Sequence, residues 1–349
     1  HAGRKGWWQY ESMNAGRAGS AYVDLFNGNL VFEHADGATT GNRMPVAISH
    51  VYNSCLSESN PVSCGNGWRT SMHQSVCKKA IGSTNYYVWT DGDATEHFFA
   101  ISGSQPYADA EGMSLKLTTS STELTITDKS DMKLVFPLPS DATQKFLLRM
   151  TDACGNSASL GYDASGKLTS VTDGVGRVAA LTYNAEGLLS QISVPGRPVV
   201  TYTYTDEQLT GVGYGDISGH TTYEYEAASN MLTAAVNYDG VRVDLAYEGL
   251  NAYDSAAIDN YAAQVRRVIT METRNGDTRG AKQRFDYEHM MTKVTAVTDS
   301  TSEAGKTITY QFNEAGNVVC CFDELGFVQT NAFAADKDSS ATPNQQTEA

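Results

Sequence analysis

The sequence predicts an all-β protein in which an irregular N-terminal β-domain is followed by an array of antiparallel β-hairpin repeats. Three observations predict this fold class. A tyrosine-led phrase recurs every 21 residues, the segments before each phrase alternate between two kinds of side chain, and Asp/Asn-x-x-Gly phrases separate these segments. Alternation with period two in β-branched and aromatic residues indicates strands, whereas Asp or Asn followed by Gly indicates turns.

The repeat itself is led by tyrosines at a constant spacing. The first two units begin YDASGKLTSV and YNAEGLLSQI, the third lacks the turn glycine, and the phrase returns late in the chain as FNEAGNVV. One unit of 21 residues holds about two short strands and two turns, so consecutive units should extend one antiparallel sheet. The positions that define the repeat are Tyr162, Gly166, Tyr183, Gly187, Tyr204, Tyr225, Phe312 and Gly316.

Two segments show the strand pattern most clearly. Residues 201–204 read Thr-Tyr-Thr-Tyr, which places two rings on one face and two hydroxyls on the other. In residues 307–312, Ile308, Tyr310 and Phe312 share one face. Both segments are therefore predicted to be strands with one buried face.

The chain is predicted to divide into four parts. Residues 1–20 are a lead-in, residues 21–145 form the irregular β-domain or a cap over the first exposed strand, and residues 146–333 form the hairpin repeats. Residues 334–349 are polar and lack aromatic residues, which is typical of a tail. A helix is predicted only around residues 255–265.

Composition excludes several classes of partner. The 349 residues include 40 acidic and 25 basic side chains, which gives a formal net charge of -15 with no run of Lys or Arg. We therefore expect no binding to nucleic acid and none to anionic membrane. No stretch approaches the roughly 18 to 20 apolar residues of a membrane helix, so no membrane insertion is expected. Residues 1–11 lack the apolar core of a signal peptide, and we expect the sequence to be an excerpt.

Six cysteines allow one plausible disulfide. Residues 54–67 are rich in Ser, Asn, Pro and Gly, and a short loop of that kind can bring Cys55 and Cys64 together. The alternative is a pair of partly buried thiols. Cys320 and Cys321 are adjacent in a predicted strand and should point to opposite faces.

Candidate chemistry is sparse. Asp91, Asp93 and Glu96 have a spacing that loosely resembles a calcium loop, but Asp91 is followed by glycine and is better explained as a hairpin turn. The histidines show no metal-ligand spacing on a predicted element, so neither a metal site nor a cofactor is expected. His50 or His97 with a Cys or Ser would suit nucleophilic catalysis, but the sequence has no nucleophile elbow.

Paired carboxylates would suit glycoside cleavage, but the repeat explains its own aspartates. Asp163, Asp173 and Asp239 recur at turn positions, where an aspartate bonds to the backbone of its own turn. We therefore expect no enzyme activity.

Aromatic side chains leave a second class of function open. Trp7, Trp8 and Trp89 would stack on sugar rings if they were exposed on one flat face. An adhesin or carbohydrate-binding module is therefore the alternative to a scaffold, and a cell-surface glycan or protein is its expected partner.

The repeat phrases resemble a known family. YDASGKLTSVTDGVGR and YNAEGLLSQI are similar to the tyrosine-aspartate (YD) repeats of bacterial Rhs and wall-associated proteins, which teneurins share. AYVDLFNGNLVFEH, MPVAISHVYNS and GNGWRTS resemble, in that order, the domain that commonly precedes Rhs repeats. Together the resemblance covers most of residues 21–333.

The resemblance implies a large bacterial protein that is secreted or attached to the cell surface. In such proteins the repeats wind a curved sheet into a shell around a variable C-terminal effector domain, which is often a toxin. This sequence has too few repeats to close a shell and lacks the DPxG-type core that marks the C-terminal end of the shell. We therefore expect a partial shell that acts as scaffold, with the effector domain of the same polypeptide as its partner.

Overall fold

A computed structural model describes residues 3–56, 64–227, 229–248, 266–333 and 346–348. Within these ranges the regular structure is strand, apart from one 3-10 turn at Gly16–Ala18. The predicted all-β fold class is confirmed. The helix expected around residues 255–265 lies outside the described residues, as does most of the predicted tail. In the part of the chain that is described, no helix has the length and apolar character needed to cross a membrane.

The first fourteen strands precede the tyrosine-led units. They are β1 (Tyr10–Asn14), β2 (Ser20–Asp24), β3 (Leu30–Ala38), β4 (Ala47–Asn53), β5 (Trp68–Thr70), β6 (Ser75–Ile81), β7 (Thr84–Thr90), β8 (Glu96–Ala100), β9 (Tyr107–Ala108), β10 (Lys116–Thr119), β11 (Glu123–Thr127), β12 (Lys133–Pro137), β13 (Lys145–Phe146) and β14 (Arg149–Thr151).

The remaining strands belong to the repeats and to the end of the chain. They are β15 (Ser157–Tyr162), β16 (Leu168–Thr172), β17 (Val178–Tyr183), β18 (Leu189–Ser193), β19 (Val200–Thr205), β20 (Gln208–Tyr214), β21 (His220–Tyr225), β22 (Leu232–Val236), β23 (Val241–Tyr247), β24 (Val268–Asn275), β25 (Thr278–Glu288), β26 (Met291–Asp299), β27 (Ala304–Phe312), β28 (Val318–Asp323), β29 (Val328–Thr330), β30 (Ala332–Phe333) and β31 (Gln346–Glu348).

These strands form one large antiparallel sheet and three small ones. The small sheets have the strand orders β1-β2-β3-β4-β5, β13-β6-β7-β8 and β30-β31. The large sheet, which we call the wall, contains the twenty strands β9 to β12 and β14 to β29. Residues 201–204 and 307–312 lie in β19 and β27, and each of these strands pairs with both of its neighbours. Both strand predictions are confirmed.

The wall contains more strands than the 21-residue units alone supply. Strands β9 to β12 and β14, which precede the first tyrosine-led unit, are part of the same sheet. The paired strands run without a break from β9 to β29, so strands outside the 21-residue period extend the array.

The five-stranded sheet β1–β5 packs on the inner side of the wall. Its core side chains, among them Phe32 and Trp68, belong to the same hydrophobic cluster as Leu181, Tyr223 and Phe285 of the wall. A small sheet can touch strands from β17 to β25 of the wall only if the wall curves around it. Burial of this shared apolar surface is the main force that holds the two sheets together.

Candidate functional site

Each repeat tyrosine ties its own unit to the main chain of the unit before it. The phenolic hydroxyl donates to a backbone carbonyl 15 residues earlier in most units, at 2.6–2.8 Å. The pairs are Tyr162 with Leu147, Tyr183 with Leu168, Tyr204 with Leu189, Tyr225 with Leu209, Tyr247 with Leu232 and Tyr287 with Val268. We call this series the tyrosine ladder.

A β-bulge accompanies the leading residue of the units. The register shifts between Gly161 and Tyr162, between Thr182 and Tyr183, and in the same way at the later units. A bulge bends its strand and changes the direction of a side chain. At each of these bulges the tyrosine side chain points towards the preceding unit. Phe312 occupies an equivalent bulge but has no hydroxyl to donate.

The turns between strands follow the predicted chemistry. The Oδ1 atom of Asp163 accepts N–H bonds from Ser165 and Lys167, both at 2.9 Å. These bonds favour the charged carboxylate, and together with the Ser165 hydroxyl they hold the pKa of Asp163 below its ordinary value. The turn glycine follows at φ +83° for Gly166 and +80° for Gly187, a backbone region that suits glycine.

Hydrogen bonds fix the N-terminal sheet to distant parts of the wall. Five of them, in the order of the wall residues, are Gly174 N–H to Met44 O (3.2 Å), Leu232 N–H to the Tyr52 hydroxyl (3.1 Å), Val268 N–H to Gly28 O (3.1 Å), the Thr292 hydroxyl to Leu25 O (2.5 Å) and Trp8 Nε1–H to Ala315 O (2.7 Å). These contacts span β16 to the β27–β28 turn. The N-terminal sheet is therefore hydrogen-bonded to the wall along most of the length of the wall.

A buried cluster of histidine and aspartate lies at this interface, and we call it the His-Asp-His cluster. His34 and Asp36 come from β3, and His50 comes from β4, directly opposite His34 in the register. Asp36 Oδ1 lies 3.0 Å from His34 Nδ1 and 2.8 Å from His50 Nδ1, and it accepts a 2.5 Å bond from the Tyr202 hydroxyl of β19. All three side chains of the cluster have essentially no exposed surface.

Two further wall tyrosines surround the histidines. The Tyr214 hydroxyl lies 2.5 Å from His34 Nε2, and the Tyr223 hydroxyl lies 3.5 Å from His50 Nε2. Burial lowers the pKa of His34, and the neighbouring His50 lowers it further, because a charged imidazole is costly in the interior. Burial opposes ionisation of Asp36, but His50 and His34 outweigh it and hold the pKa of that carboxyl below its ordinary value.

The predicted Cys55–Cys64 disulfide is not formed in the structure, where both residues are thiols. Cys64 is buried and Cys55 is half-buried. Burial raises the pKa of the Cys55 thiol to about 11, and it raises that of Cys64 as well. The alternative of two partly or fully buried thiols is the arrangement observed.

The three tryptophans predicted to contact glycan do not form one exposed face. Trp8 is 8% exposed and packs against Phe26 at a ring distance of 5.3 Å. Trp89 is half-buried, and its ring stacks on His97 at 4.6 Å. Trp8 therefore offers no platform to a sugar, whereas glycan contact by Trp7 and Trp89 stays a prediction.

The Asp91 loop forms the hairpin turn between β7 and β8 that was the favoured interpretation. Asp91 Oδ1 accepts N–H bonds from Asp93 and Thr95, both at 3.0 Å, and Asp91 Oδ2 lies 3.0 Å from His97 Nε2. Glu96 is paired with Lys79 across the strands at 3.1 Å. Asp91 thus bonds to its own hairpin, and Glu96 bonds to the neighbouring strand β6. His97 pairs with Asp91, and His50, in another sheet, pairs with Asp36.

The sequence analysis missed the His-Asp-His cluster. The signal was present, because His34 and Asp36 are two residues apart in a strand and therefore share a face. The partner His50 could not be assigned without the pairing of β3 with β4.

Comparisons with known proteins agree with the sequence resemblance. Residues 162–199 match the family model described as the RHS repeat, and residues 21–99 match a domain of unknown function, DUF6531. In a comparison with curated proteins, no match was found.

Several solved structures are similar to the chain at low identity. A TcdB2-TccC3-TEV crystal structure is 10% identical with a TM-score of 0.37, and the match covers 95% of this chain and 20% of that one. The Photorhabdus luminescens Tc holotoxin pore is 10% identical with a TM-score of 0.37, over 94% of this chain and 16% of that one. The N-terminal domain of effector protein SpvB from Salmonella typhimurium strain LT2 is 12% identical with a TM-score of 0.22, over 84% and 96%.

The chain thus spans a fifth or less of the length of the first structures that it matches. At these TM-scores the similarity does not establish a common overall arrangement. The family models, in contrast, fall on the two regions whose phrases carried the resemblance. The resemblance to the Rhs/YD-repeat proteins is confirmed by these matches: residues 21–99 are similar to DUF6531 and residues 162–199 are similar to the RHS repeat.

Proposed function

We propose that the chain is a structural scaffold without catalytic activity, a filled segment of an Rhs-type shell that encloses or presents a C-terminal effector domain of the same polypeptide. The observation that carries the proposal is the continuous wall of twenty strands, whose successive units are joined by the tyrosine ladder. Main-chain pairing and side-chain contacts between adjacent strands make such a sheet stiff.

The position of the N-terminal sheet supports a more specific role. Phe32 and Trp68 are fully buried against wall residues such as Tyr223, so the inner side of this segment is occupied by the chain itself. An effector would therefore lie beyond this segment, within or attached to further repeats. In this arrangement the N-terminal sheet closes one end of the shell.

A location outside the bacterial cytoplasm and a toxin as the effector are further parts of the proposal. They rest on the sequence resemblance to Rhs proteins. The net charge of -15 is consistent with a protein that meets neither nucleic acid nor anionic membrane as a partner.

Limited proteolysis of the full-length polypeptide tests the proposal. We expect the C-terminal domain to be cleaved about tenfold or more slowly than the same domain expressed alone, because cleavage requires an opened wall. A double variant Tyr183→Phe/Tyr204→Phe should accelerate cleavage, whereas Tyr238→Phe, at a 46% exposed position, should not. Equal cleavage rates for the enclosed and the isolated domain would refute an enclosing role.

A further inference from the structure

The positions of the protons around the His-Asp-His cluster decide whether it holds a cation. The Tyr214 hydroxyl lies 3.3 Å from the carbonyl oxygen of Arg17, and the Tyr223 hydroxyl lies 3.2 Å from that of Ala18. A carbonyl oxygen can only accept a hydrogen bond, and a phenol has one proton. Each hydroxyl also contacts a histidine nitrogen, at 2.5 Å from Tyr214 to His34 Nε2 and at 3.5 Å from Tyr223 to His50 Nε2, so its one proton serves either the carbonyl or the imidazole.

The tautomers of the two histidines follow from this. If Tyr214 and Tyr223 donate to carbonyls, their oxygen atoms can only accept from His34 Nε2 and His50 Nε2. Thr221, whose Oγ1 lies 3.0 Å from the Tyr214 oxygen, then donates to it as a second partner. Each neutral imidazole thus carries its proton on Nε2 and has a lone pair on Nδ1.

Both lone pairs face the same carboxylate oxygen. Asp36 Oδ1 is 3.0 Å from His34 Nδ1 and 2.8 Å from His50 Nδ1. Three electron-rich atoms at these distances repel one another unless positive charge lies between them. When the hydroxyls donate to the carbonyls, that charge is either a second proton on each histidine or one metal ion bound by all three residues; when they donate to Nε2, each Nδ1 carries a proton that it donates to Asp36.

Two additional protons would be unfavourable at this site. The two imidazole rings are 4.5 Å apart and fully buried, so two imidazolium charges would repel each other in a medium of low dielectric constant. Asp36 supplies only one negative charge to compensate for them. Arg17 of the N-terminal 3-10 turn lies over the Tyr214 ring at 3.9 Å, and its positive charge adds to the repulsion.

The donor set suits a metal ion. The three ligand atoms of the cluster all lie within 4.8 Å of one another. Bonds of about 2.0–2.1 Å to tetrahedral zinc separate ligand atoms by roughly 3.3 Å, so the observed contacts need to open by only a few tenths of an ångström. The Tyr202 hydroxyl, 2.5 Å from Asp36 Oδ1, is the fourth donor atom at the site and would move back by about 0.8 Å to reach the same separation. Asp36 Oδ2 is buried without a hydrogen-bond partner among the described residues, which leaves it available to the same ion.

We propose that His34, Asp36 and His50 bind one zinc ion, with Tyr202 as the fourth ligand. Imidazole nitrogen with carboxylate and phenolate oxygen is a donor set that zinc accepts, and a histidine that binds zinc usually donates its second ring N–H to a fixed acceptor. Tyr214 and Tyr223 are those acceptors. The histidines keep their protons on Nε2 when zinc binds, and Tyr202 loses its proton, so that zinc, Asp36 and Tyr202 together carry no net charge.

The site has a structural consequence. Three ligands come from the N-terminal sheet and the fourth comes from β19 of the wall. The ion therefore fixes the N-terminal sheet to the wall. With four protein ligands, the ion has no open coordination position for a substrate. Because the ligands are buried, zinc would enter while the chain folds.

Refolding of the whole chain tests the site with zinc alone as the probe. The protein is unfolded in urea with a chelator, refolded with or without zinc, and passed through gel filtration before its zinc content is measured. We expect one zinc per folded chain and a urea midpoint that is higher with zinc than with chelator. Asp36→Asn should lower the zinc content about tenfold or more, and Tyr202→Phe should weaken binding by about 10- to 100-fold. His73→Gln, at another buried histidine of the N-terminal part, should leave it unchanged.

Two results would overturn the proposal. The first is a folded wild-type chain with less than about a tenth of an equivalent of zinc and a urea midpoint that ignores the metal. The second is a nitrogen NMR spectrum in which His34 and His50 both carry the proton on Nδ1, since the hydroxyls would then donate to Nε2. Neither measurement requires the variants to fold or depends on the presence of an effector.

Discussion

Two members of the tyrosine ladder should differ in their contribution to stability, because they make different numbers of hydrogen bonds. Tyr183 donates one bond to Leu168 O at 2.7 Å. Tyr225 donates to Leu209 O at 2.6 Å and also accepts from Trp68 Nε1 at 2.9 Å. Tyr→Phe removes only the hydroxyl and leaves the ring packing in place.

The magnitudes follow from the bonds lost. One intramolecular hydrogen bond contributes about 0.5–1.5 kcal/mol, so Tyr183→Phe should lower the free energy of unfolding by about 1 kcal/mol. Tyr225→Phe removes two bonds at a buried position and should cost about 2–3 kcal/mol. Tyr238→Phe, at an exposed site, should stay within about 0.5 kcal/mol of wild type.

Urea denaturation of the three variants measures these differences. A changed midpoint with an unchanged slope would indicate an effect on the folded state itself. The reasoning is refuted if Tyr225→Phe is no more destabilising than Tyr183→Phe, or if Tyr183→Phe cannot be distinguished from the exposed control.

Two other predictions concern a turn glycine and a buried acid. Gly316 and Gly176 both have positive φ, at +81° and +87°, but an added Cβ would lie 2.5 Å from Trp8 Nε1 at Gly316 and would meet nothing within 4 Å at Gly176. Gly176→Ala should therefore cost about 1–2 kcal/mol and Gly316→Ala about 1–3 kcal/mol more in urea unfolding, and equal losses would contradict the close packing of Trp8. Burial raises the pKa of Asp24 from 3.8 to about 7, so the folded state holds its proton more tightly than the unfolded state. Stability from this group is present below pH 4 and is lost as the pH rises to 7, by on the order of 4 kcal/mol; Asp24→Asn should flatten that loss, and parallel pH profiles for variant and wild type would exclude it.

The repeats could be predicted from sequence because their information is local. The turn at Asp163 uses an aspartate and a glycine three positions apart, and the strand at residues 201–204 shows its two faces directly. Each of these signals lies within one unit. The fold class and the pairing of neighbouring strands followed from them.

The packing of the N-terminal sheet against the wall and the His-Asp-His cluster could not be predicted in this way. The hydrogen bond from the Thr292 hydroxyl to Leu25 O joins residues 267 positions apart that share no phrase. The bond from Tyr202 to Asp36 joins residues 166 positions apart. A long-range contact of this kind depends on the curvature of the whole sheet, which no short segment encodes. The burial of Trp8 has the same origin.

The tyrosine ladder limits how such a protein can grow. Most rungs reach back to a main-chain carbonyl 15 residues earlier, as Tyr183 does to Leu168 and Tyr204 to Leu189. Duplication or loss of a complete unit would reproduce these rungs, whereas a gain or loss of half a unit would leave a hydroxyl opposite the wrong carbonyl. The sheet can therefore lengthen or shorten by complete units without new hydrogen-bond partners.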